Sequence, residues 1–206
     1  MKFYFSPGAC SLGIHFLLEE IGADYEGIPI HIKNGDQLKE DYVKVNPKSK
    51  VPAIIRDDGS LLTEFGVIAH WLSHTCGKDK LAAGTFEDEL RIMETLDYLV
   101  ATVHMQGFSR LLRPQKFSPT EADLDWVREN GKAIVVKAFK LLSEQLKDRP
   151  FIMGERMTIA DAAMFYTLFW GVTRLNLDLP ENIVAYFNRL SMRPAAKRAM
   201  ELEGLL

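Results

Sequence analysis

The chain has 206 residues, 47% hydrophobic and 26% charged, with a formal net charge of -3. That balance is globular and excludes a chain whose main state is disordered. A pI near 6.0, with no basic excess, argues against nucleic acid or an anionic membrane surface as partner.

The elements follow in order. Phe3-Tyr4-Phe5 is a short aromatic strand that Ser6-Pro7-Gly8 ends. Leu12, Phe16, Leu17 and Ile21 then recur at helical spacing, and Gly22 closes the helix. Residues 25–32 read as a second strand. Residues 36–45 form a weak helix stopped by Asn46-Pro47, because the residue before proline avoids the α region. Residues 51–55 are a third strand, Asp58-Gly59 a hairpin turn and residues 60–62 the returning strand. A helix runs from about 64 to 74. The order βαβαββα predicts a mixed sheet with helices packed on it.

Residues 77–84 are polar and glycine-flanked, as a linker is. No strand pattern follows them. Ile92, Leu96, Leu99 and Val103 place a long helix over 87–112. A second spans 121–146, with Trp126, Ile134, Phe139, Leu142 and Leu146 on its apolar side. Residues 160–175 are almost wholly apolar and fit a buried central helix. Short helices over 183–190 and 194–202 close the chain. The expectation is an α/β domain over 1–77 and an all-helical domain over 86–206.

No apolar run approaches the roughly 18 residues that cross a bilayer. Residues 1–8 show no signal-peptide core. Cys10 and Cys76 are too few for a disulfide framework, so a reducing cytoplasm is expected.

Three loops carry candidate chemistry. In Ser6-Pro7-Gly8-Ala9-Cys10-Ser11, Cys10 falls where a helix begins. Unpaired N–H groups and the helix dipole favour a thiolate there. Ser11 is placed to hydrogen-bond that sulfur or a ligand's sulfur. The competing reading is a small residue filling a tight turn. In Val51-Pro52, the proline opens a strand without a ladder donor, which suits an edge or a cis turn. Val51 would then offer its backbone to an extended peptide. In Thr63-Glu64-Phe65-Gly66, a helix start gives an anion site and Glu64 a carboxylate for an ammonium. The competing reading is that Glu64 complements the macrodipole. His70, His74 and Cys76 lack a local fourth ligand, so no metal is expected.

Together these loops resemble the thioredoxin-like domain of glutathione S-transferases, and the full chain is similar to the bacterial beta class. Phe5-Ser6-Pro7-Gly8-Ala9-Cys10-Ser11 matches that class's cysteine turn. Asn46-Pro47-Lys48 followed by Val51-Pro52-Ala53 matches its run into a cis-proline, and Leu62-Thr63-Glu64 its γ-glutamyl loop. Met157-Thr158-Ile159-Ala160-Asp161 is like the family's helix-starting motif, where Thr158 and Asp161 form a capping box and serve folding.

The resemblance implies glutathione as co-substrate and a small apolar electrophile as second substrate. Cys10 would face the glutathione sulfur and form a mixed disulfide with it. Val51, before Pro52, would pair with the cysteinyl part. Glu64 and the Phe65 N–H would hold the γ-glutamyl end, and Lys33 the glycine carboxylate. His104 would face the sulfur from the long helix, with Asp97 two turns earlier on nearly the same face. A homodimer is implied. Phe65, Asp97 and Met105 depart from the residues many relatives carry. They favour the competing reading, a non-catalytic protein-binding scaffold.

Overall fold

The computed structural model describes residues 1–206, the side chain of Asp79 excepted. β1 (Lys2–Phe5) alternates its side chains between two buried faces. Phe3 and Phe5 stack on one face, with ring centroids 5.6 Å apart. Tyr4 lies on the other, in a cluster with Tyr42, Val51, Ala53 and Ile30. A strand buried on both faces must be covered twice, and helices do this.

α1 (Ser11–Ile21) packs on β1. β2 (Glu26–Pro29) follows, then two single turns of tighter helix at Ile32–Asn34 and Asp36–Leu38. α2 (Glu40–Val45) brings Tyr42 to the Tyr4 face. β3 (Ala53–Ile55) and β4 (Leu61–Thr63) form the hairpin, and α3 (Phe65–His74) packs on α1. The sheet order is β2-β1-β3-β4, parallel between β1 and β2 and antiparallel elsewhere. Phe3 aligns with Gly27 on one side and Ile54 on the other. The expected βαβαββα order is present. The second and third strands are shorter than expected, and the 77–84 segment carries a short helix, α4 (Lys78–Leu81).

The second unit opens with α5 (Phe86–Asp97), where the Thr85 hydroxyl accepts the Asp88 N–H at 3.1 Å. The helix continues through Tyr98–Phe108 with wider turns and ends as α6 (Ser109–Leu112). The Ser109 N–H reaches back to the His104 carbonyl, an i→i+5 bond. α7 (Leu124–Leu146) buries Val127, Gly131, Val135, Ala138, Phe139, Leu142 and Leu146 along one stripe. Trp126, expected on that side, is 70% exposed because the stripe runs through its neighbour Val127. Gly107 and Gly131 mark a close crossing. A Cβ on Gly131 would stand 2.8 Å from the Gly107 carbonyl oxygen and 3.0 Å from the Leu111 nitrogen.

α8 (Ile159–Leu168) is wholly buried and extends into a second wide stretch, Phe169–Arg174. The Thr158–Asp161 capping box is formed. Asp161 accepts from the N–H groups of Thr158 at 2.7 Å and Ile152 at 2.9 Å and from the Tyr186 hydroxyl at 2.6 Å. Burial raises its carboxyl pKa, and these donors oppose the rise. Tyr186 belongs to α9 (Glu181–Ser191).

α10 (Pro194–Leu202) departs from the sequence reading, which placed all of 86–206 in one domain. The compact units are Met1–Ala82 with Leu190–Leu206, and Ala83–Arg189. α10 packs on α1 and buries Ala196, Ala199 and Met200. Arg198 pairs with Glu19 at 2.9 Å, and Arg193 pairs with Glu20. Both acids lie on α1, so the helix joins the first unit through charge as well as apolar contact. No helix among the described residues is long and apolar enough to cross a membrane.

Candidate active site

The chain leaves β1 at Phe5 and turns at once. The Ser6 carbonyl accepts the Ala9 N–H at 2.9 Å, and Gly8 takes φ 64°, a conformation that favours glycine. Ser11 closes the turn. Its Oγ accepts the Ser6 N–H at 3.0 Å and donates to the Ser6 carbonyl at 3.2 Å. The side chain is fully buried. The sequence reading aimed this hydroxyl at a sulfur. In the structure it is engaged by Ser6, and Ser11 shapes the turn instead.

Cys10 stands immediately before α1, half-buried. Its Sγ donates to the Val51 carbonyl at 3.5 Å. The peptide bond between Val51 and Pro52 is cis, and both residues are buried. The loop before them is pinned from α2 and its end. The Lys50 carbonyl accepts the Tyr42 hydroxyl at 2.5 Å and the Asn46 amide at 2.8 Å. Asn46 Oδ1 accepts the Lys48 N–H at 3.1 Å. Tyr42 and Asn46 went unnoticed as holders of this loop. The sequence marks Asn46 as a helix stop and as part of the run into the cis-proline, without showing its bond to the Lys50 carbonyl.

The same loop reaches the start of α3. Lys48 Nζ lies 2.7 Å from Glu64 Oε1 and donates to Thr63 Oγ1 at 3.0 Å. Glu64 has φ 70° and ψ 130°, outside the regions an L residue prefers. Strain of that kind concentrates at functional sites. Phe65 is 5% exposed, so its ring belongs to the core. Lys33 is exposed on the Ile32–Asn34 turn. Cys10, Val51, Pro52, Lys48 and Glu64 are therefore joined by one loop. Lys48 belongs to the Asn46-Pro47-Lys48 motif, but its pairing with Glu64 has no signal in the sequence.

In the second unit, His104 sits in the wide stretch Tyr98–Phe108. Its Nδ1 is 3.3 Å from the Tyr166 hydroxyl, and its ring meets Trp170 edge-on at 4.8 Å. Trp170 in turn meets Phe108 at 5.4 Å. Burial among these rings, with the Arg113 charge, lowers the His104 pKa to about 4. It is neutral at pH 7. Asp97 is exposed at the end of α5. The wider turns begin right after it, so seven residues no longer make two α-helical turns, and the expected shared face is lost.

A thioredoxin-like sheet, a cysteine at a helix start and a cis-proline loop beside it define a protein that handles thiols. Residues 7–75 match the family described as glutathione S-transferase, N-terminal domain, and residues 125–189 its C-terminal domain. The chain is 36% identical to glutathione S-transferase GstA of Escherichia coli O157:H7, with both chains covered in full. It is 24% identical to the disulfide-bond oxidoreductase YfcG of Escherichia coli K12, over 96% of this chain and 93% of that one. Among solved structures it is similar to a bacterial beta class glutathione S-transferase of Sphingomonas chungbukensis. That match has a TM-score of 0.86 and 28% identity, and covers 100% of both chains. The chain belongs to the glutathione S-transferase family.

Proposed function

We propose that the protein is a beta-class-like glutathione transferase that joins glutathione to a small apolar electrophile. The observation that carries this reading is the Cys10 Sγ at the Val51 carbonyl. Val51 is the residue whose backbone would pair with the cysteinyl part of the tripeptide, as an added strand pairs with a sheet edge. A glutathione sulfur held there lies beside Cys10 and the first N–H groups of α1. Those groups favour the thiolate. Glu64 takes the γ-glutamyl ammonium, the Phe65 N–H its carboxylate, and Lys33 the glycine carboxylate.

In conjugation, the glutathione thiol gives its proton to solvent. The thiolate then forms a carbon–sulfur bond, and the leaving group departs with its electron pair. The protein lowers the thiol pKa and holds both reactants. His104, neutral at pH 7, supplies no fixed positive charge. Cys10 supports a second reaction, exchange with a disulfide. Its thiolate attacks one sulfur and the other leaves as thiolate, giving a mixed disulfide that glutathione resolves. The similarity to a disulfide-bond oxidoreductase favours including this step.

A cytoplasmic homodimer completes the reading, and light scattering giving a monomer overturns that part. Titration calorimetry with glutathione tests the core. One glutathione per chain is the expected result. No binding at millimolar glutathione overturns the transferase reading in favour of a protein-binding scaffold.

A further inference from the structure

The cysteine turn is held by a residue 195 positions away. Glu203 follows α10, and its side chain is fully buried. Its Oε2 accepts the Gly8 N–H at 2.6 Å. Its Oε1 lies 2.8 Å from His15 Nδ1. His15 sits on α1, the helix that Cys10 precedes. The rings of Phe3, Phe5 and Tyr25 surround it, with centroids at 5.3, 4.9 and 5.6 Å.

A carboxylate in such surroundings is unfavourable unless its oxygens are bonded. Here each oxygen has a different partner, one on the turn before Cys10 and one on the helix after it. Holding α10 against α1 does not require this group. The Arg193–Glu20 and Arg198–Glu19 pairs and the buried Ala196, Ala199 and Met200 already do so. The particular effect of Glu203 is to fix Gly8 relative to His15, and so to fix the turn between them that carries Cys10.

We propose that Glu203 is a positioning residue of the active site. By bridging the Gly8 N–H to His15, it sets where the Cys10 thiol stands at the start of α1 and against the Val51 carbonyl. The proposal rests on the reading of Cys10 as a reactive thiol. Without the bridge the turn relaxes, Cys10 leaves its place at the helix N-terminus, and the thiolate loses its stabilisation.

The test measures alkylation of Cys10 by iodoacetamide across a pH series, read by mass spectrometry of the peptides. The exposed Cys76 is the reference within the same chain. In Glu203→Ala and in the shorter Glu203→Asp, Cys10 alkylation relative to Cys76 falls about ten-fold at pH 7 and its pH midpoint rises. Glu203→Gln, whose amide oxygen still reaches the Gly8 N–H, restores the rate to within about two-fold. The proposal is overturned if Glu203→Asp keeps the wild-type ratio and midpoint, or if Glu203→Gln is as slow as Glu203→Asp. Glu203→Asp retains the charge and keeps the test decisive should Glu203→Ala fail to fold. Alkylation needs no glutathione. A wild-type chain that fails to bind glutathione therefore defeats the transferase reading and leaves this result standing.

Discussion

Lys48 Nζ lies 2.7 Å from Glu64 Oε1, across the loop that also carries Val51. Both side chains are more than half exposed, so solvent screens the pair and it adds little stability. Its consequence is for the proposed site. Lys48 occupies the carboxylate that the reading assigns to a ligand ammonium. Lys48→Met is expected to leave the melting temperature unchanged and to alter the glutathione dissociation constant measurably by calorimetry. An unaltered constant removes Lys48 from the site.

Glu64 also holds an unfavourable backbone conformation, φ 70° and ψ 130°. Glycine tolerates it better, and such strain costs on the order of 1 kcal/mol or more. Glu64→Gly is expected to raise the urea midpoint while weakening glutathione binding about ten-fold or more. Opposite signs in the two measurements are the signature of strain kept for function.

Cys10→Ala separates the two reactions. Disulfide reduction should vanish, and the glutathione adduct on the protein should be absent by mass spectrometry. Conjugation to a chloronitrobenzene should persist, because the attacking sulfur there belongs to glutathione. If both rates survive, Cys10 has no role in exchange.

Tyr42 and Asn46 share one acceptor, the Lys50 carbonyl. Tyr42→Phe and Asn46→Ala should each cost about 1 kcal/mol in denaturant melts. Both should also weaken glutathione binding, since they free the loop that presents Val51. Their combined effect should not be additive, because one bond remains when the other is lost.

His104 titrates about 4 in the folded chain against an ordinary value near 6.5. Between those values the unfolded chain binds the proton and the folded chain does not. Stability from this group is therefore full above about pH 6.5 and is lost as pH falls towards 4. Comparing urea melts of wild type and His104→Gln at several pH values isolates the effect. The difference between the two should shrink as pH falls through that window. A difference independent of pH refutes the assignment.

Much of this was readable in advance because local rules sufficed. The cysteine turn, the order of elements along the first domain, the cis-proline run and the Thr158–Asp161 box each follow from short stretches of sequence. What escaped depends on distant partners. Ser11 is a local exception, since its partner Ser6 lies only five residues away and it is the folded turn that brings the two together. Glu203 looks like any exposed acid after a helix until His15 and Gly8 close on it. The Asp97–His104 spacing failed for another reason. Helical arithmetic assumes regular turns, and no residue between 98 and 108 announces wider ones. Trp126 misled because its size suggests a core role, whereas position on the helix decides which residue turns inward.

The membership of residues 190–206 in the first unit bears on how the chain acquires its structure during synthesis. Domains generally fold as units in the order they are made. Here the unit whose strands are made before the second unit also needs a segment made after it. The cysteine turn cannot receive Glu203 until residues 190–206 have left the ribosome. The helical second unit, Ala83–Arg189, has all its residues before then. An order of completion opposite to the order of translation follows, and a nascent chain stalled short of Glu203 would display a sheet whose thiol is not yet in place.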